Sequence, residues 1–224
     1  ARALHAVGAN VVVHHRGADD AAALVSELER ARANSTARVQ ADLLHADAPR
    51  IVVEAALAAF GRIDLLVNNA SMFYPTTVGE ITATHWDELV GSNLRAPLFL
   101  SQAAAPHLAR AKGAIINITD IHAERPLKGY AVYSVAKAGL AGLTRVLALE
   151  LAPDVRVNAV APGAIAWPED GQFDPAERER IVSTTPLGRV GSPEDIARAV
   201  LALCAMPFVT GQAIAVDGGR SVFL

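Results

Sequence analysis

The stretch Ala114-Ile115-Ile116-Asn117-Ile118 is a run of mostly branched apolar residues, and a long helical pattern follows it. Such a run is typical of a strand that helices cover on both faces of a parallel sheet. The other strand candidates are residues 10–14, 37–41, 63–68, 155–160 and 213–216. Helical patterns alternate with the strands, at residues 19–32, 47–60, 84–111, 131–151 and 193–204. This alternation predicts a single α/β domain over residues 1–224, built on a doubly wound parallel sheet.

Two segments depart from this alternation. Residues 1–7 look like the last two turns of a helix that Gly8 ends. A doubly wound domain normally opens with a strand and a glycine-rich turn, which binds the pyrophosphate of a dinucleotide. We therefore expect that the first strand and its glycine-rich turn are missing from this chain. Residues 167–186 are mostly polar and contain Pro168 and Pro175, which predicts a loop with a short helix, placed as a lid over a site.

The composition argues against several classes of protein. Hydrophobic residues make up 52% and charged residues 19%, which suits a buried core and not a disordered chain. The net charge of −3 and the lack of a basic run make nucleic acid an unexpected partner. Cys204 is the one cysteine, which excludes an intrachain disulfide and agrees with a reducing cytoplasm. Charges interrupt the longest apolar runs, so we expect no membrane span. The histidines lack metal-ligand spacing, so we expect no metal site.

Three residues predict proton chemistry. Tyr133 and Lys137 are four residues apart in a helical pattern, which places them on one face, and Asp120 lies thirteen residues before the tyrosine. A free tyrosine titrates at about 10, and a nearby cation stabilises the phenolate and lowers that pKa. The pair therefore predicts a tyrosine that protonates a substrate during its reduction. The alternative is an unrelated pair on a helix surface, because this spacing occurs by chance in many helices.

Several further motifs follow one another in a specific order. They are Asn68-Asn69-Ala70 at a strand end, Asn93 in the next helix, Pro162-Gly163, and Val216-Asp217-Gly218-Gly219. Together with Tyr133 and Lys137 they resemble the short-chain dehydrogenase/reductases, over the whole chain. Within that family the chain is most similar to the pteridine reductases, in which an aspartate takes the place of the usual serine, as Asp120 does here. Their Asn-Ala-Ser-x-Phe-Tyr-Pro stretch is matched by residues 69–75. The resemblance implies a Rossmann-like fold and a homotetramer.

The resemblance also implies a role for each catalytic residue. Tyr133 is the expected proton donor, while Lys137 holds the nicotinamide ribose and lowers the pKa of the tyrosine. Asn93 is expected to hold a water that links the lysine to solvent. The alternative for Asn93 is an ordinary buried asparagine that bonds to a backbone carbonyl.

Asp120 and nearby aromatic residues favour a heterocyclic substrate. A carboxyl group accepts hydrogen bonds from an amine-rich ring or, when protonated, donates one, whereas a serine only orients a carbonyl oxygen. The resemblance implies that Phe73 stacks on a pterin ring, opposite the nicotinamide, and that Tyr74 and Trp167 line the same cavity. The alternatives are a loop-capping role for Asp120 and a core position for Phe73.

The end of the first predicted strand favours NADPH as the cofactor. An enzyme that uses NAD typically has an acid there, which bonds to the ribose 2′-hydroxyl and repels a 2′-phosphate. Here the first acids come only at Asp19 and Asp20. Arg16 can bind a phosphate with its forked donors, and His15 can add a donor. The alternative is a solvated arginine in a turn. The resemblance implies further cofactor contacts from Asp42, Leu43, Asn69, Ala70, Ser71, Pro162 and Gly163.

Taken together, these residues favour NADPH-dependent reduction of a C=N bond in a pterin or a dihydrofolate-like ring. The nearest alternative is a reductase of the same family that acts on a ketone, such as a 3-oxoacyl thioester or a sugar. A second alternative is a non-catalytic subunit on the same fold, which only the missing glycine-rich segment supports.

Overall fold

The computed structural model of the protein describes residues 1–17, 21–167 and 173–223. Strands and helices alternate along this described part of the chain. The strands are β1 (Val11–His15), β2 (Thr36–Gln40), β3 (Leu65–Asn68), β4 (Ala114–Ile118), β5 (Arg156–Pro162) and β6 (Ala213–Val216). The helices are α1 (Arg2–Ala6), α2 (Ala22–Ala31), α3 (Ala48–Phe60), α4 (Ala83–Val90), α5 (Ala96–Ala111), α6 (Ala131–Glu150), α7 (Pro175–Ser183), α8 (Pro193–Ala205) and α9 (Arg220–Phe223).

Every strand pair is parallel, which confirms the predicted α/β class. The strands form two sheets, however, because no described strand hydrogen-bonds β1 to β3. One sheet pairs β1 with β2, and the other has the order β3-β4-β5-β6. Asn68 in β3 lies opposite Asn117 in β4, and Ile118 lies opposite Val160 in β5. The carboxyl ends of these three strands therefore meet at one edge, where folds of this kind bind their ligands.

The predicted elements occur close to their predicted limits. All the predicted strands are present, and β4 and β6 have the predicted bounds. The N-terminal helix α1 is followed by Gly8, whose φ of 96° is the left-handed conformation that ends a helix. The short helix predicted between residues 167 and 186 is α7. The predicted start of the helix at residues 19–32 lies outside the described residues, and α2 follows it.

The helix predicted at residues 84–111 is present, from Ala83 to Ala111, but it is not α-helical throughout. A π-helical turn, Gly91–Arg95, separates α4 from α5. Pro97 follows this turn and has no N–H to donate to the carbonyl of Asn93, four residues earlier. A π-helical turn shifts the hydrogen-bond register by one residue at this point. It also places Asn93 in the widened turn.

Two apolar clusters cover the faces of the four-stranded sheet. Ile115 belongs to the cluster under α5 and α6, and Ile116 belongs to the cluster under α8. Both side chains are fully buried. Successive residues of β4 therefore point into different cores, which explains why the strand is a continuous apolar run.

Helix α6 is the long helix of the first of these clusters. Its 20 residues and mean hydropathy of 1.3 would suit a membrane span by length and composition, although the sequence predicted none. However, 56% of its most apolar 18-residue stretch is buried inside the fold, and the helix packs against β4 and β5. We therefore interpret α6 as a core helix.

Candidate active site

Strand β4 and helix α6 bring Asp120, Tyr133 and Lys137 together. The Tyr133 hydroxyl donates a hydrogen bond to Oδ2 of Asp120 at 2.7 Å. The Lys137 ammonium donates to the carbonyl of Ile118 at 2.9 Å and lies 5.6 Å from the centre of the Tyr133 ring. Tyr133 is 4% exposed and Lys137 is 3% exposed, so they are not a surface pair. Asp120 also caps the following turn, because its Oδ1 accepts from the backbone N–H of His122 at 2.8 Å.

The expected lowering of the Tyr133 pKa is wrong for this structure. The pKa of Tyr133 is raised, mainly by burial and then by the charge of Asp120 and the hydrogen bond to it. Burial lowers the pKa of Lys137 to about 8, and the charge of Asp120 only partly opposes this effect. The carboxylate touches the phenol oxygen, whereas the ammonium lies beside the ring. The phenol therefore stays protonated and donates a hydrogen bond to the carboxylate.

A chain of buried polar groups holds α6 along β4 behind these residues. Asn68 in β3 donates to Oδ1 of Asn117 at 2.8 Å and to the hydroxyl of Ser101 in α5 at 3.3 Å. Asn117 in turn donates to Thr144 of α6 at 2.9 Å, and Thr144 donates to the carbonyl of Leu140. Asn117 is the one polar residue in the apolar strand β4, and it is the sequence signal for these buried hydrogen bonds. We infer that the hydrogen bonds fix the register of α6 on β4.

Asn93 fixes the loop after β3. It is 1% exposed, and its Nδ2 donates to the carbonyls of Met72 and Leu89, each at 2.9 Å. Its Oδ1 accepts from the hydroxyl of Ser71 at 2.6 Å. These contacts match the alternative stated for Asn93, an ordinary buried asparagine that bonds to backbone carbonyls. A water held between Asn93 and Lys137 stays a prediction.

Phe73 lies among other aromatic rings at the site. Its ring stacks on Tyr130 with the centroids 4.6 Å apart and 12° between the planes. It meets Tyr133 edge-on at 4.8 Å, and Phe173 lies nearly parallel to it at 6.4 Å. Trp167 contacts Phe173, with the ring centroids 5.9 Å apart. Phe73 is half-buried and belongs to neither apolar core, and its contact with Tyr133 places it at the candidate site.

The predictions did not include Tyr130 and Phe173. Tyr130 lies three residues before Tyr133, which places both on one side of the start of α6. Phe173 is the one phenylalanine of the predicted lid segment, residues 167–186. The spacing from Tyr133 would have identified Tyr130, and the position in the predicted lid segment would have identified Phe173.

Tyr74 does not line the cavity as expected. Its hydroxyl donates to Glu88 of α4 at 2.7 Å, and its ring packs against His85 at 5.8 Å. Burial and the Glu88 carboxylate raise the pKa of Tyr74 to about 12. The side chain therefore anchors the loop after β3 to α4.

The expected phosphate-binding residues lie at the carboxyl end of β1. Arg16 is exposed, and its carbonyl accepts from the side chain of Gln40 at 3.1 Å. His15 is buried, and its Nδ1 is bonded to the carbonyl of Gly17, so that nitrogen is not available to a phosphate. Of the two expected donors, Arg16 is therefore the one that faces solvent. Asp19 and Asp20 lie outside the described residues.

The remaining expected cofactor residues also follow strand ends. Asp42 and Leu43 come after β2, where Oδ1 of Asp42 accepts from the N–H of Leu44 at 2.9 Å. The exposed residues after β3 are Asn69, Ala70 and Ser71. Pro162 ends β5, and a Cβ on Gly163 would lie 2.7 Å from Cβ of Asp217, so glycine is required for this approach.

This set of donors fits a dinucleotide. An exposed arginine stands at the end of β1, and exposed residues follow β3. An ammonium has three N–H donors, and Lys137 uses one of them on Ile118. The other two are suited to ribose hydroxyls.

Comparison with known proteins identifies the family. The family described as enoyl-(acyl carrier protein) reductase matches residues 1–221. Pteridine reductase 1 from Leishmania tarentolae is 37% identical, with 99% of this chain and 91% of the relative covered. A 3-oxoacyl-acyl-carrier-protein reductase from Thermotoga maritima is also 37% identical, with 75% of this chain and 70% of the relative covered. A solved structure, the apo SCOR enzyme from Clostridium thermocellum, has a TM-score of 0.86 and 31% identity, covering 99% of this chain and 86% of its own. The protein is therefore an oxidoreductase of the short-chain dehydrogenase/reductase family.

Proposed function

We propose that the protein reduces a C=N bond in a pterin or a dihydrofolate-like ring, with NADPH as the hydride donor. The observation that carries this proposal is the 2.7 Å hydrogen bond from Tyr133 to Asp120, beside the ring of Phe73. A ketone offers only an acceptor oxygen, whereas a pterin offers N–H donors as well as acceptor nitrogens. A carboxylate beside a phenol matches both kinds of group.

Competition for Asp120 would control the proton transfer. A ligand amine that donates to this carboxylate replaces the Tyr133 hydroxyl, which then turns to an acceptor nitrogen of the ligand. The charge of Asp120 and the hydrogen bond to it help to raise the pKa of Tyr133. When the carboxylate binds the ligand amine instead, the phenol loses this hydrogen bond and its pKa falls again. The Lys137 ammonium then favours the phenolate that proton donation leaves behind. The hydroxyl proton goes to the ring nitrogen as the adjacent carbon receives the hydride that NADPH supplies when bound.

Arg16 supports the choice of NADPH. Its guanidinium is exposed at the end of β1, and the described residues of this turn, His14 to Gly17, include no carboxylate that would repel a 2′-phosphate. Lys137 would hold the nicotinamide ribose. Titration of the protein with each dinucleotide, followed by fluorescence, is expected to show tighter binding of NADPH. Tighter binding of NADH would contradict the assignment.

A substrate panel tests the proposed reaction. We expect faster turnover of a dihydropterin than of acetoacetyl thioester, each with NADPH. The variant Asp120→Ser should lose about a hundredfold of its dihydropterin turnover, because a neutral hydroxyl accepts from the ring amines more weakly than a carboxylate and carries no charge to act on the phenol. It should keep its activity on the ketone. Unchanged dihydropterin turnover in this variant would remove the main reason for a heterocyclic substrate.

Reduction of a 3-oxoacyl thioester is the second candidate. The 37% identity with the Thermotoga maritima reductase favours it as much as the same identity favours the pteridine reductase. Reduction of a ketone requires the phenol of Tyr133 and the ammonium of Lys137, but neither the carboxylate of Asp120 nor the aromatic rings around Phe73. A non-catalytic role is opposed by the buried contact between Tyr133 and Asp120, which a scaffold does not need.

We also propose a cytoplasmic homotetramer. Apolar side chains on the outer faces of α5 and α6 are exposed, with Phe99 at 40%, Val146 at 55% and Leu149 at 79%. Exposed apolar patches of this kind mark subunit contacts. Light scattering is expected to give about four times the mass of one chain. Cys204 is a free thiol, which supports a reducing compartment.

A further inference from the structure

A row of aromatic rings leads from Tyr133 to the start of α7. The ring centroids are 4.8 Å apart from Tyr133 to Phe73, 6.4 Å from Phe73 to Phe173, and 5.9 Å from Phe173 to Trp167. Each step is the spacing of two packed rings. The row therefore continues beyond Phe73 for more than the width of one ring. A substrate that consisted only of a pterin would contact the first part of it.

Arg178 lies at the far end of this row. Its guanidinium carbon is 5.3 Å from the centre of the Trp167 ring, and its Nε donates to the carbonyl of Phe173 at 2.9 Å. The side chain is half-buried. These two contacts hold the cation over the Trp167 ring and beside the backbone of Phe173, at the end of the row. Because both contacts act on the same guanidinium, its orientation is set by the protein.

Two acids at the start of α7 are occupied by other groups. Glu177 forms an ion pair with Arg180 at 3.8 Å, and Asp174 caps α7 by accepting from the N–H of Glu177 at 2.8 Å. No carboxylate among the described residues lies within ion-pair distance of Arg178. A guanidinium has five N–H donors, and the Nε–H is the one that Phe173 uses. The other donors form a fork that matches a carboxylate.

We propose that Arg178 is a specificity residue that binds a carboxylate at the end of an aromatic tail, and so favours dihydrofolate-like substrates over a bare dihydropterin. The inference rests on the proposed function and deepens it. The reduced ring would lie beside Tyr133 and Phe73. A benzoyl group would follow the rings of Phe173 and Trp167, and a terminal carboxylate would meet the guanidinium.

The test compares a substrate with the tail and one without it. Dihydrofolate carries the carboxylates, and dihydrobiopterin does not. In Arg178→Gln we expect the KM for dihydrofolate to rise about tenfold to a hundredfold, the loss expected for a hydrogen bond to a charged group. The KM for dihydrobiopterin and both kcat values should stay within about twofold, since Arg178 does not touch the reacting ring. The matched control is Arg180→Gln, which removes a charge two residues further along α7 and should change neither KM.

Each other outcome counts against a specific claim. An equal rise in both KM values would show that Arg178 only supports the local structure, and an unchanged KM for dihydrofolate would show that the tail does not reach it. Either result overturns the inference while the proposed function stands. Turnover of neither compound by the unchanged protein overturns the proposed function, and the inference with it. The unfolding midpoint of Arg178→Gln is measured alongside, to confirm that the variant is folded.

Discussion

The inner wall of the site and its aromatic mouth are held together by different forces. The inner wall consists of Asn93, Asp120, Tyr133 and Lys137, and the mouth consists of Phe73, Tyr130, Trp167 and Phe173. In the inner wall, the asparagine, tyrosine and lysine are at most 4% exposed and make directional hydrogen bonds. The members of the mouth are half-buried and meet through their ring faces and edges.

This contrast separates reaction from selection. Hydrogen bonds fix atoms to within tenths of an ångström, which proton transfer requires. Ring contacts tolerate displacement, and Phe73 and Phe173 lie on loops, where binding residues concentrate. Changes in the inner wall should therefore alter kcat for every substrate. Changes in the mouth should alter KM, and differently for different substrates.

The largest expected effect follows from Tyr133→Phe. This variant keeps the ring contact with Phe73 and removes only the proton donor. We expect kcat to fall by about a hundredfold to ten-thousandfold for every substrate, which is the range for loss of a general acid. Steady-state kinetics measures the loss, and titration with NADPH should show unchanged cofactor binding. A fall of less than tenfold would mean that another group delivers the proton.

Thr144→Val tests the support behind the inner wall. Valine matches threonine in shape but accepts no hydrogen bond, so the amide of Asn117 loses its partner in a fully buried place. We expect a loss of about 1–3 kcal/mol in the free energy of unfolding, measured with urea, and a severalfold lower kcat on all substrates. Thr144→Ser should restore both.

The matched control is Thr185→Val. Thr185 is also buried, and among the described residues its hydroxyl bonds to the carbonyl of Ile181, four residues earlier. We expect a smaller loss of stability and no change in kcat. Equal losses in the two variants would mean that the chain from Asn68 to Thr144 does not position α6.

The sequence was sufficient for Tyr133 and Lys137 because both lie on the regular helix α6. β4 is an uninterrupted apolar run except for Asn117, and α6 carries Tyr133 and Lys137 at helical spacing. Local patterns of this kind fix which side chains share a face. The fold then brings Asp120, the second residue after β4, to the start of α6, where it contacts Tyr133.

The sequence was not sufficient for properties that depend on distances between elements. The direction of the Tyr133 pKa shift depends on which charge touches the hydroxyl, and spacing along the chain gave no measure of the approach of Asp120. The contact of Phe73 with Phe173 joins two loops a hundred residues apart. The π-helical turn at Asn93 reflects the missing N–H of Pro97, which a pattern of apolar residues does not record.

The loss of the Lys137 charge at high pH is expected to lower kcat/KM about tenfold for each pH unit. Burial lowers the pKa of Lys137 from 10.5 to about 8, so its ammonium is present below that pH and lost above it. We expect kcat/KM to fall above pH 8, because the phenolate then lacks its cation. Lys137→Met should be much less active and should lack this alkaline decline. A decline that persists in the variant would have to be assigned to another group.

The same shift predicts the opposite trend for stability. Between about pH 8 and 10.5 the unfolded chain binds a proton at Lys137 that the folded chain does not. The contribution of this lysine to the free energy of unfolding therefore rises with pH in that window. Urea unfolding of the wild type and Lys137→Met across the window checks the sign. A difference between the two proteins that is independent of pH would contradict the burial of a charged ammonium.

The smallest expected effect is at the mouth, in Phe73→Leu. Leucine keeps an apolar surface but loses the flat face on which a heterocycle stacks. Such a contact is worth about 0.5–1.5 kcal/mol, so we expect the KM for dihydropterin to rise about twofold to tenfold while kcat stays nearly constant. Phe208→Leu, at a fully exposed position, should have no effect. If kcat instead fell as strongly as KM rose, Phe73 would be positioning Tyr133 through their edge contact at 4.8 Å, and the mouth and the inner wall would act as one unit.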